Sequence, residues 1–467
     1  MVYSLSIITS NYHQERSIPC RKLAKKILQL ARNLLFKICA ELIEFIKKII
    51  NSPDFINRNR LSKTDFTRQR KLPFNILIVF LVNFVRGSYQ DELDKFFKAL
   101  HRFDVARRIV SKVALTKARM KVKFQAFVEL NQHLVSYFEK HFNPRTWYGF
   151  RLLAIDGSTT RLPQIDAIAE HFGQWRVRQG TPSTMARVSQ LFDVLNKITI
   201  DAIIDPKSSG ERQLAVQHLL QLTPNDLVLL DRGYPAWWLF NLMLSMNANF
   251  CARISCTKWK VVRKFFYSGL DEKIVSIPIH TTSVAFCKQM GLQMKPLHLR
   301  LIRIKNGDTV QVLITSLIDT KRYPIEIFYD LYHCRWPVEE DYKFIKCRME
   351  LENFSGKSVL SVYQDFHAKI FTKNLVSILF SRVNDQLEHI RENTKYVYHI
   401  NFTQALSKSK GVIALLFHES KAKIMQHIAD LQNIFLKTVE PIRPGRKYPR
   451  KQMPSPRKFF LAYKPIG

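Results

Sequence analysis

The chain has 467 residues, 46% of them hydrophobic, which exceeds the usual size of a single core, so about two or three domains are expected. Its 73 Lys and Arg face 38 Asp and Glu, a formal net charge of +35, which points to a polyanionic partner, nucleic acid first. A membrane is disfavoured, because the longest apolar run near the start, Phe74 to Val85, is too short to span a bilayer and holds Asn75 and Asn83.

Taken in chain order, the first residues show no charged segment ahead of their short apolar run, so no signal peptide is expected and the location reads as cytoplasmic. Residues 20–50 repeat apolar side chains at three- and four-residue steps with Lys and Arg between them, an amphipathic helical pattern. A basic link follows, with six cations and one acid from Asn57 to Lys71, and more helical sequence runs from about residue 73 to 142. Residues 1–145 therefore read as a helical, basic, DNA-binding region, although a solvated helix face explains scattered lysines equally well.

The pattern then changes. "FRLLAIDG" is a short apolar run closed by Asp-Gly, a strand with a turn signal. "ARVSQLFDVLNKITIDAIID" reads as two strands joined at Asn196 and Lys197, "SSGERQLAVQHLLQL" as a helix, and "DLVLLDRGY" as another strand. That succession predicts an α/β arrangement with a mixed sheet over about residues 146–380. Residues 250–320 read as β-rich, including "FCARISCTKWKVVRKFFY" and a hairpin turn at "KNGD". From residue 324 helices return, and 381–467 is expected as a helical region with a basic, Pro-rich tail. From Pro441 to Gly467 that tail holds eight cations and six prolines without an acid, a composition that stays extended until it meets a polyanion. Seven cysteines, with no C-x-x-C pair, suggest neither a disulfide framework nor a zinc knuckle.

Two acids close apolar strands, Asp156 in "LLAIDGS" and Asp231 in "LVLLDRGY". Either alone is better explained as a turn or helix-capping residue. If the strands are neighbours, however, the two carboxylates repel unless a cation lies between them. Mg²⁺ is the natural occupant, since it takes hard oxygen ligands and keeps places for water or phosphate oxygens. Two such ions about 3.5–4 Å apart can activate a water or a 3′-hydroxyl and stabilise the leaving oxygen. A third acid stands in "YHCRWPVEEDYKFIK", where Tyr332, Arg335, Glu339 and Lys346 are offset by three, four and seven residues. On an unbroken helix these fall within about 60° of arc, with Glu339 free to ligate metal and the others free to hold phosphates. Pro337 suits a first helical turn, so the helix is expected to start near Trp336, with Tyr332 and Arg335 on the turn before it. Glu340 and Asp341 point to other faces and read as a solvated acidic patch.

These residues resemble the DDE transposases of the insertion-sequence 4 family, found in bacterial mobile elements. The resemblance rests on "AIDGS", "LLDRGY" and an ungapped Y-x2-R-x3-E-x6-K signature, and extends to "FTRQRKLPF", "ARVSQLFDV", "GERQLAVQHL" and "RPGRKYPRK". It implies an RNase H-like catalytic domain with a β-rich insertion between the second and third acids, and Asp156, Asp231 and Glu339 as catalytic, metal-binding triad. It further implies two Mg²⁺ ions (Mn²⁺ substituting), cleavage at terminal inverted repeats, strand transfer into target DNA, a homodimer on paired double-stranded ends, and a nucleoid-associated place in a bacterial cytoplasm. Tyr332, Arg335 and Lys346 carry over as contacts to the DNA end. Trp259, flanked by Lys258 and Lys260, is the candidate for stacking an unpaired base, against the plainer reading of a strand aromatic packed into the insertion. Arg187, Arg253 and His218 fall in matching blocks but are explained by ion pairing or core hydrogen bonding. The competing readings are a structure-specific nuclease on the same fold and a non-catalytic DNA-binding relic.

Overall fold

The structure, a computed structural model, describes residues 18–443 apart from Phe84, 176–181, 307–308, 382, 384–395 and 442. Six helices come first: α1 (Ile18–Asn51), α2 (Pro53–Asn59), α3 (Phe74–Val82), α4 (Tyr89–His101), α5 (Lys112–Arg119) and α6 (Gln125–His141). Their starts are chemically marked. Ser52 accepts from the Phe55 N–H with Pro53 in the first turn of α2, and Ser111 accepts from the Ala114 N–H at α5. The apolar run after Pro73 becomes α3, nine residues long and almost wholly buried. Among the described residues no helix is long and apolar enough to cross a membrane.

The sheet begins with β1 (Arg151–Arg161), followed by α7 (Asp166–Phe172), the short β2 (Gln174–Trp175), β3 (Ser183–Asp193) and β4 (Ile198–Asp205). After α8 (Glu211–Leu219) come β5 (Asp226–Leu230), α9 (Trp237–Ser245) and β6 (Asn249–Ile254). β3 and β4 form the expected hairpin, with Lys197 in the left-handed region at φ 56°. β4, β3 and β1 are antiparallel neighbours, while β1, β5 and β6 run parallel. The resulting order β4-β3-β1-β5-β6, with a helix in each crossover, is the RNase H-like topology. The two central parallel strands are buried over Leu152–Ile155 and Asp226–Leu230, as strands covered on both faces should be.

Beyond β6 lie α10 (Lys260–Tyr267), β7 (Glu272–Ile277), α11 (Thr281–Gln289), β8 (Leu297–Asn306) and β9 (Thr309–Thr315). β9 pairs with β6, β8 with β9 and β7 with β8, so these strands prolong the same sheet. "KVVRKFFY", read as part of a strand, is the helix α10. Its β-branched and aromatic residues suggest a strand, but Lys260, Arg263, Lys264 and Tyr267 are exposed while Val262 and Phe265 are buried, a helical period. The "KNGD" turn has residues 307–308 outside the described part, although β8 and β9 pair on either side of it.

Then follow α12 (Ile327–His333), α13 (Trp336–Cys347) and α14 (Val359–Phe380), with Pro337 in the first turn of α13 as expected. α14 runs through the interior against α6, α3 and β4, and the C-terminal helix Lys421–Lys437 packs on α1. Helices from both ends of the chain thus share one continuous hydrophobic core with the sheet. The Pro-rich tail lies outside the described residues beyond Arg443.

Candidate active site

The register of β1 against β5 builds the centre of the site. Ile155 pairs with Leu230, so Asp156 and Asp231 are the next residues on two adjacent parallel strands. β5 ends there, whereas β1 continues to Arg161 alongside β3 alone. α13 covers the exposed side of that extension. Tyr342 Oη donates to the Asp156 carbonyl at 2.8 Å, and Lys346 Nζ donates to Ser158 Oγ at 2.6 Å. On the preceding helix, Tyr332 Oη reaches toward the Leu230 carbonyl at 3.4 Å. The two helices are therefore tied to the ends of both strands.

Glu339 lies in the first turn of α13 and forms an ion pair with Arg335, four residues earlier, whose guanidinium also stands 5.9 Å from the centre of the Tyr332 ring. Burial, with the charges of Asp231 and Glu339, outweighs the Arg335 charge and the Gly157 N–H and pushes the Asp156 carboxyl up to about 6. Arg335 is engaged by Glu339 and does not offset the burial of Asp156. The hard oxygens of the three carboxylates suit a divalent cation, and a cation would also offset the burial that raises the proton affinity of Asp156. Among the described residues no three His, Cys, Asp or Glu side chains already stand at metal-coordinating spacing. Glu339 is turned to Arg335 instead, which is what like-charge repulsion favours.

A second constellation lies behind β1. His218 Nδ1 is 2.7 Å from Asp201 Oδ2, His218 Nε2 is 2.9 Å from Ser189 Oγ, and Ser189 Oγ reaches the Asp156 carbonyl at 3.4 Å. The residue types are those of a serine-hydrolase triad, but Ser189 and His218 are buried, so this chain braces the Asp156 backbone and offers no exposed nucleophile. His218 is thus engaged as its sequence context suggests, by hydrogen bonds in the core.

Six of the predicted site residues, Asp156, Asp231, Tyr332, Arg335, Glu339 and Lys346, are brought together at this edge. Trp259 stands five residues beyond β6, which leaves the same edge of the sheet beside β5. It is half-buried and meets Phe240 edge-on with ring centres 6.1 Å apart. Glu340 is exposed and pairs with Lys343, whereas the solvated reading of Asp341 is corrected: its side chain is 9% exposed and pairs with buried Lys373 at 2.7 Å. The helix face that leads Glu339 to the cleft turns Asp341 into the core. Ser158 and Tyr342 escaped the sequence reading; Ser158 stands inside "AIDGS", but nothing in the sequence links it to Lys346.

A family model described as the transposase DDE domain matches residues 147–375, a span that includes all three acids and the Y-R-E-K signature. The chain is 23% identical to the transposase InsG for insertion sequence element IS4 of Escherichia coli (strain K12), over 88% of this chain and 92% of that protein. The chain belongs to the DDE transposases of the insertion-sequence 4 family. The transposase is also 28% identical to the putative transposase InsZ of the same bacterium, over 23% of this chain and 36% of that one. A solved piggyBac transposase synaptic complex with hairpin DNA aligns with TM-score 0.37 and 8% identity, covering 85% of this chain and 81% of its own. Membership makes this transposase an enzyme of DNA cleavage and transfer.

Proposed function

We propose that this transposase cuts its element at the terminal inverted repeats and joins the freed 3′-hydroxyls to target DNA, with Asp156, Asp231 and Glu339 as its metal-binding catalytic triad. The observation that carries the reading is the Ile155–Leu230 pairing, which sets Asp156 and Asp231 side by side at the end of the buried sheet. The three carboxylates would hold a pair of Mg²⁺ ions, with Mn²⁺ as substitute, and such ions supply Lewis-acid activation of the attacking oxygen and charge relief at phosphate. Tyr342, Ser189 and the helix tether through Lys346 fix the Asp156 strand end against movement. Arg335 lies where two parallel hydrogen bonds can grip a DNA phosphate, Lys346 adds a point charge, and Tyr332 presents a phenol beside Leu230. Trp259, between exposed Lys258 and Lys260, stacks an unpaired base at the DNA end. The enzyme works as a dimer on paired ends, in the cytoplasm at the nucleoid.

The test is strand cleavage of duplex DNA carrying the element's flanking ends, with Mg²⁺ and with EDTA, comparing wild type with Asp231→Ala. Metal-dependent nicking at the repeat boundary, lost in the variant, is expected. Binding without cleavage by the wild type, with metal and both ends supplied, would replace the enzyme by a DNA-binding relic. Hydrolysis without any joining to target DNA would make it a nuclease.

A further inference from the structure

α8 opens with Glu211, whose side chain reaches the backbone just beyond both strand ends, with Oε2 on the Asp231 side. Two glycines reveal this. A Cβ placed on Gly157, the residue after Asp156, would lie 3.5 Å from Glu211 Cγ and 3.5 Å from Tyr234 Oη. A Cβ placed on Gly233 would lie 3.1 Å from Asp231 Oδ1 and 3.8 Å from Glu211 Oε2. Both carboxylate oxygens therefore border the same small space, kept open because neither glycine carries a side chain. On its other side Glu211 Oε1 meets Arg187 Nη1 at 3.3 Å, long for a charge-assisted bond.

A second feature points into that space. Tyr234, 2% exposed, carries a hydroxyl with no hydrogen-bond partner among the described residues. Leaving a buried hydroxyl unsatisfied forfeits its hydrogen bond to water without replacement. The structure here places that unpaired donor against a point shared with Glu211, one residue beyond Asp156. An apolar tyrosine environment would have been served by phenylalanine, so the hydroxyl marks room for a polar ligand.

We infer that Glu211 is a fourth carboxylate of the metal site, binding a divalent cation together with Asp231, while Tyr234 offers its hydroxyl to the same ligand-filled space. This rests on the reading of Asp156 and Asp231 as metal ligands. Glu211 supplies negative charge from a different element, the helix between β4 and β5, so the site does not depend on Glu339 alone leaving Arg335. Arg187 competes with the cation for Glu211, and its removal should favour metal.

The test is Mn²⁺ binding to the full chain without DNA, read as free Mn²⁺ by electron paramagnetic resonance, for wild type, Glu211→Gln, Arg187→Gln and Asp231→Asn. Glu211 is half exposed, and glutamine preserves its size, so the fold should tolerate the change. Glu211→Gln is expected to weaken one site by about tenfold or more, because ligand charge sets divalent affinity. Arg187→Gln should tighten the same site. If Asp231→Asn weakens binding while Glu211→Gln and Arg187→Gln leave the isotherm unchanged, Glu211 is no ligand and the inference falls. If Asp231→Asn also leaves it unchanged, the metal reading of the strand ends falls with it.

Discussion

The transposase treats charge in two opposite ways, along α14 and at the carboxylate edge of the sheet. Beside α14, Arg119 and Asp365 are both buried and paired at 2.7 Å. The same guanidinium donates to Gln364 Oε1 at 2.6 Å, the Ser361 carbonyl at 2.8 Å, Ser355 Oγ at 2.7 Å, and Tyr89 Oη. Ser355 Oγ donates in turn to Asp365. At the sheet edge, the Arg335 guanidinium pairs with Glu339 and faces Asp156, yet its Nε has no partner among the described residues, and the buried Tyr234 hydroxyl has none either. A saturated network holds helices together, while a deficient one is arranged for a ligand that brings charge and donors of its own.

The contrast breaks most directly by matched substitutions. Asp156→Asn is expected to lower cleavage by about 1,000-fold or more, roughly 4 kcal/mol of barrier, with thermal stability unchanged or raised because a repelled, half-buried charge is removed. Asp365→Asn should do the reverse. It strands Arg119 and should cost about 3–5 kcal/mol in urea unfolding while the cleavage rate per folded molecule holds. Parallel losses of stability and activity in both variants would erase the distinction.

Much of the edge was legible in the sequence because it is local. A strand that ends on an acid shows itself in a few letters, as in "AIDG" and "LLDRG", and Pro337 announces the start of α13. The interior was not legible, since Arg119 finds Asp365, and Lys373 finds Asp341, only after distant segments fold together. Asp341 misled because its neighbour Glu340 is indeed solvated, and one residue of helix rotation separates water from core. Helix α10 misled because β-branched and aromatic residues outvoted its period, and Glu211 drew no notice because its approach to Asp231 depends on how α8 packs against Gly157 of β1 and Gly233 in the turn after β5.

A milder way to sharpen the comparison is acid. His367 on α14 is stacked on Phe124 at 5.4 Å, and burial lowers its imidazole to about 4, with Asp201 opposing. The unfolded chain protonates first, near 6.5, so the stability from a neutral His367 is whole above that pH and drains away as pH falls toward 4. The loss should approach about 3 kcal/mol. His367→Phe should flatten that limb in a series of urea unfolding curves, and the difference between the two proteins removes groups common to both, including buried Asp193. An unchanged acid limb would mean that His367 is as easily protonated in the interior as in water, which a buried ring stacked on phenylalanine should not be.

The smallest expected effect decides where Arg335 belongs. It pairs with Glu339 like an interior residue, yet it is placed to hold phosphate like a residue of the edge. Binding of the element's DNA end, measured across a salt series, separates the two roles. If Arg335 holds a phosphate, Arg335→Ala should reduce the slope of log affinity against log salt by about 0.9, one phosphate's worth of released counterions. If its work is to restrain Glu339, the slope should stay as it was while cleavage falls. Lys346→Gln provides the reference, since Lys346 donates to the neutral Ser158 hydroxyl and forms no ion pair among the described residues. A slope lost in Lys346→Gln but kept in Arg335→Ala would move Arg335 out of the DNA interface and make it the counter-ion that keeps the acids apart until metal arrives.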